Sequence, residues 1–121
     1  MSFNHAVVWL DHAEALVLSF NSEAVESEKL KSHQKHSRHD KTGDSGAERQ
    51  YFSDIAAALQ DTLEILVAGP GEEKLIFSKH MKQYFPAIAA KIVAVETADH
   101  PTEPQLLAHA RKYFQKTDIF R

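Results

Sequence analysis

The sequence predicts an α/β fold, a single mixed sheet with helices on its faces. Three observations predict it. Short apolar runs of strand length fill the first thirty residues, separated by polar turn residues. From Ala47 the apolar spacing changes to three and four residues, the helical period. Two more strand-length apolar runs then alternate with helical segments, as parallel βα units do. A chain of 121 residues has the length of a single domain, and 43 % hydrophobic residues suffice for one core.

Each element has its own justification. Ala6-Val7-Val8-Trp9-Leu10 is an apolar run that reads as a buried strand. Asp11-His12-Ala13-Glu14 is mostly polar and short enough for a hairpin turn, and Ala15 to Phe20 is the returning strand. Asn21-Ser22 signals a second turn. Ala24 to Leu30 alternates apolar and polar in part, which predicts an edge strand and completes a three-stranded antiparallel meander. His33 to Gly46 contains no aliphatic residue, so it has nothing to pack into a core and is expected to be a long, exposed, mobile loop.

The helical half follows. Tyr51, Phe52, Ile55, Ala58, Leu59 and Leu63 define a helix from Ala47 to Leu63, with Ser45 as expected N-cap and Glu48 completing a capping box. Glu64 to Ala68 is a buried strand, ended by Gly69-Pro70-Gly71. A helix from Glu72 to about Phe85 carries acids in its first turn, where the helix dipole favours them, and Pro86 ends it. Ile88 to Lys91 reads as a short helical continuation, and Ile92-Val93-Ala94-Val95 as another buried strand. Asp99-His100-Pro101-Thr102 opens a last helix from Glu103 to about Phe114. Trp9, Phe20, Phe52, Phe77, Phe85 and Phe114 are expected core residues. The order β-β-β, loop, α-β-α-β-α gives five strands in the ribonuclease H-like arrangement.

Composition narrows the function classes. Without cysteine, disulfides and thiolate metal sites are excluded. The opening residues have neither the basic nor the apolar region of a signal peptide, and no apolar stretch approaches the roughly 20 residues of a membrane span. A cytoplasmic protein with no membrane partner is expected. The net charge of −3 disfavours overall attraction to nucleic acid, but the distribution is uneven. Lys29, Lys31, Lys35, Arg38 and Lys41 against Asp40 give +4 between residues 29 and 41, which leaves −7 for the rest of the chain.

Three segments together resemble the middle domain of eukaryotic and archaeal class-1 release factors and of the Pelota family. Val7-Val8-Trp9-Leu10-Asp11 with Ala15-Leu16-Val17-Leu18 is similar to that domain's first hairpin. Ile65 to Lys74, through Ala68-Gly69-Pro70-Gly71, resembles its strand, turn and lysine-bearing helix. The basic loop falls where release factors hold a Gly-Gly-Gln tip. The chain also resembles small stand-alone bacterial proteins described as translational machinery components. It departs from the release factors at that tip. Gly43 and Gly46 are separated by Asp44 and Ser45, and neither Gln34 nor Gln50 follows a glycine pair. The flanking decoding and partner-binding domains are not in this sequence either. The resemblance therefore implies a non-catalytic, translation-associated module and no peptide release.

Several constellations are candidates for function. Lys31, Lys35, Arg38 and Lys41 are suited to RNA phosphates, with His36 and His39 hydrogen-bonding or stacking; the alternative is a solvated loop with no partner. The ribosome or a structured RNA is the expected partner, and no cofactor is expected. His33, His36, His39 and Asp40 carry metal-binding groups at steps of three, although the spacing is no recognised zinc signature. Gly69 and Gly71, with Lys74, stand before a helix and can either cradle an anion or simply make a tight turn. Asp11, Glu96 and Asp99 fall near strand ends, where a metal-dependent hydrolase or nuclease of this fold would hold its ions; that is the second reading. A protein-interaction or stress-associated module is the third.

Overall fold

The computed structural model describes residues 3–32 and 46–119, with side chains through 115. The meander is β1 (His5–Leu10), β2 (Glu14–Phe20) and β3 (Val25–Lys31). There follow α1 (Gly46–Ala58), β4 (Glu64–Gly69), α2 (Glu73–Tyr84), α3 (Pro86–Ala89), β5 (Ile92–Thr97) and α4 (Glu103–Ile119). The five strands form one sheet in the order β3-β2-β1-β4-β5. The three meander strands pair antiparallel, whereas β4 runs parallel to both β1 and β5. This is the mixed, ribonuclease H-like α/β sheet that the sequence predicts.

Both meander turns use one device. Asp11 Oδ1 accepts the backbone N–H groups of Ala13 and Glu14 at 2.8 and 2.9 Å. Asn21 Oδ1 accepts those of Glu23 and Ala24 at 2.9 and 2.8 Å. A short carbonyl-bearing side chain thus satisfies the donors that the turn leaves over.

Strand alternation divides the core in two. Ala6, Val8 and Leu10 face α1 to α3 with Ile65 and Val67, packing on Tyr51, Phe52, Ile55, Phe77, Met81 and Ile88. Val7, Trp9, Leu18, Phe20, Leu66 and Ala68 face α4 and pack on Leu106, Ala110 and Phe114. The Trp9 indole N–H is shared between the carbonyls of Ala98 and Asp99, at 3.2 and 3.0 Å, and so ties β1 to the start of the α4 connection. Thr102 and Gln105 cap α4 reciprocally.

Edge strand β3 has a fixed phase. Bonds from Asn21 N–H to Ala24 C=O and from Ser32 N–H to Ala13 C=O bracket its pairing with β2. Antiparallel pairs alternate between bonded and non-bonded, so Val25, Ser27, Lys29 and Lys31 turn their backbone groups outward to the free edge. Lys29 and Lys31 share the α4 side of the sheet, and Glu26 and Glu28 the α1 side.

Four boundaries differ from expectation. The first helix stops at Ala58, because the chain must turn through Leu59 and Thr62 to bring β4 alongside β1. Leu63, expected on its apolar face, is 64 % exposed while its N–H bonds to the Asn4 carbonyl. The helix after Phe85 begins at Pro86, two residues earlier than expected, since proline suits a first helical position. β5 is only half-buried, being an outer strand, and Phe85 is half-buried at the margin of its cluster. The last helix continues to Ile119. The expected loop and the Ser45 cap lie largely outside the described residues.

Candidate functional site

The carboxyl ends of β1 and β4 meet where α1 and α2 begin. A Cβ on Gly69 would stand 2.3 Å from the Leu10 carbonyl oxygen, so only glycine lets the two strand ends approach this closely. The chain turns at once into α2, whose Lys74 is buried and donates its ammonium to the Gly71 carbonyl. The Gly69-Gly71-Lys74 segment therefore forms a turn closed by its own lysine.

Glu73, in the first turn of α2, is 1 % exposed. Neither of its oxygens receives a well-aligned hydrogen bond from nitrogen; the neighbours are His12 Nδ1, 2.9 Å from Oε1, and the carboxyl of Glu48. Burial, reinforced by the Glu48 charge and hydrogen bond and by the Asp11 charge, pushes the Glu73 carboxyl up to about 8. A proton held between Glu48 and Glu73 is the arrangement that lets two buried carboxyls face each other. Tyr51 lies beside them and donates to the Asp11 carbonyl at 3.0 Å. Burial, with the charges of Asp11, Glu73 and Glu14, raises its phenol above the usual range, so it stays neutral.

This cluster escapes a reading of the sequence, which gives Glu48 only a capping role and Glu73 only a dipole role. The signal is nevertheless present. Glu48 stands four residues before Phe52, and Glu73 four before Phe77, so each acid continues its helix's buried stripe.

The cluster also lies at the root of the basic segment. Lys31 ends β3 exposed, and Ser32 bonds to Ala13, next to His12. The chain is described again from Gly46, two residues before Glu48. Lys35, His36, Arg38, His39 and Lys41, and the metal candidates His33 and Asp40, lie outside the described residues.

The strand-end acids are not gathered. Asp11 Oδ1 caps its own turn. Glu96 Oε1 pairs with His109 Nε2 at 2.7 Å. Among the described residues, no three His, Asp or Glu side chains are placed to hold a metal. No described helix is long and apolar enough to cross a membrane.

No family model and no curated protein matches the sequence. Solved structures match the fold. Pelota of Archaeoglobus fulgidus is 17 % identical with a TM-score of 0.66, over 93 % of this chain and 32 % of that one. The archaeal translation termination factor aRF1 is 13 % identical with a TM-score of 0.65, over 88 % and 32 %. A ribosome-bound archaeal Pelota is 20 % identical with a TM-score of 0.61, over 89 % and 33 %. This chain spans about a third of the length of these proteins and has the fold of one Pelota or release-factor domain.

Proposed function

We propose that this domain is a translation-associated module that docks on the ribosome in the cytoplasm. Its contact is the basic segment from Lys31 to Lys41, which meets RNA phosphates, and it carries out no reaction there. The observation that supports this most is a fold shared over nine-tenths of the chain with a Pelota seen on the ribosome, joined to a +4 segment leaving the edge of its sheet. The −7 remainder orients the molecule, because exposed charges act over about 10 Å at 0.1 M salt. Without a Gly-Gly-Gln tip, the segment has the charge for docking and lacks the group that release factors insert.

Co-sedimentation with ribosomes over a salt series tests this. Replacing Lys31, Lys35, Arg38 and Lys41 with alanine removes up to four phosphate contacts. Each contributes roughly 0.7 to 0.9 to the slope of log affinity against log salt, so the slope should shallow by about three. Equal affinity and slope for both proteins would leave the segment a solvated surface and end this reading.

A further inference from the structure

At the opposite end of the sheet from Lys31, the β2–β3 turn and the later turns of α4 enclose a cleft of about 270 Å³. Its walls are the rings of His5, Phe20 and Phe114. His5 lies 4.2 Å from Phe114 and 5.8 Å from Phe20, centroid to centroid. Arg111 closes one side. Its guanidinium sits over the Phe20 ring, 5.8 Å from the centroid, and one terminal nitrogen donates to the Asn21 carbonyl at 3.3 Å.

That guanidinium is incompletely satisfied. Its Nε–H is buried with no acceptor, and among the described residues no carboxylate pairs with it. Glu64, the nearest acid to this wall, is engaged with His5 at 3.3 Å and does not line the cleft. An arginine keeps its charge under all ordinary conditions, and a buried charge without an anion is costly. The cleft thus combines a partly desolvated cation with an aromatic lining and no competing acid.

We propose that this cleft binds a small planar carboxylate, its oxygens on the Arg111 guanidinium and its apolar body against Phe20 and Phe114. The guanidinium fork matches a carboxylate in a bidentate manner. A single cation and no second basic side chain among the lining residues suit a monoanion better than a phosphate dianion. The volume admits a single-ring acid and excludes a nucleotide or a folded partner. α4 runs eight residues beyond Arg111, so the negative pole of its dipole, confined to the last turn, does not oppose the anion.

The test is nitrogen-15 NMR of the whole chain, following the Arg111 Nε–H and the Phe114 ring. Benzoate, its neutral isostere benzamide and inorganic phosphate are the probes. Benzoate should shift these resonances saturably, while benzamide and phosphate should leave the Nε–H in place. Losing hydrogen bonds to a charged group lowers affinity roughly 10- to 100-fold, so Arg111→Gln should weaken benzoate by that factor, and Arg111→Lys should fail to restore it. Equal shifts with benzamide would reduce the cleft to an apolar dent. Saturation by phosphate with benzoate silent would also overturn the proposal, as would no saturation by any probe. Should Arg111→Gln not fold, the contrast between benzoate and benzamide on the unaltered chain still decides.

Discussion

Glu73 couples the fold to pH. Its carboxyl titrates near 8 when folded, against 4.5 ordinarily, so the folded chain holds a proton that the unfolded chain releases. Stability is therefore full below about pH 4.5, declines as pH rises through that window, and levels off above about 8. The loss is of the order of a few kcal/mol, since a tenfold change in proton affinity corresponds to about 1.4 kcal/mol. Glu73→Gln keeps the shape and hydrogen-bonding capacity of the protonated acid and cannot ionise. Urea unfolding between about pH 5 and about pH 8.5 should show a falling midpoint for the natural chain and a flatter one for the variant, which becomes the more stable at the alkaline end. Parallel declines for the two would remove the proton from between Glu48 and Glu73. The acid was legible as a residue of the first helical turn. Its burial was not, because helix-dipole reasoning places an acid near a helix start without saying which face it shares.

At the scale of elements, the turns and strand pairs were the most legible part of the chain. Asp11 and Asn21 each declare a turn through a side chain that bonds two residues ahead, so local chemistry is sufficient to place them. Leu63 and β5 differ from expectation for the converse reason. An apolar residue between helix and strand can face either way, and whether a strand is central or outer depends on partners far along the chain. Trp9 shows such a long-range dependence. Its apolar character was readable, but its indole bonds to Ala98 and Asp99 connect elements ninety residues apart. Trp9→Phe should retain most of the packing and lose both bonds, at a cost of about 1–3 kcal/mol. Hydrogen exchange should then quicken first at Ala98 and in the opening turn of α4, with β1 and β4 still protected. Uniform acceleration across the sheet would show that the indole stabilises the whole fold and not this junction.

For the molecule as a whole, the meander holds the two proposed contacts apart. The basic segment leaves beside the β1–β2 turn, and the Arg111 cleft sits beside the β2–β3 turn, about 20 Å away along a strand of seven residues. The quadruple alanine variant should therefore bind benzoate as the natural chain does. The sheet itself is left open at both margins, and an open margin is a template on which further chains can stack. The phase of β3 bears on that hazard. Residues facing each other across an antiparallel pair lie on one face, so a second β3 laid against the first brings glutamates to the glutamate face and lysines to the lysine face. The molecule carries on its own border a charge pattern that repels its copies. Lys29→Val with Lys31→Val should lift that repulsion on one face. Light scattering of concentrated samples should then show the double variant aggregating where the natural chain stays dispersed. The lysines that open the route toward RNA are, by the same arrangement, what keeps this edge from seeding amyloid-like growth.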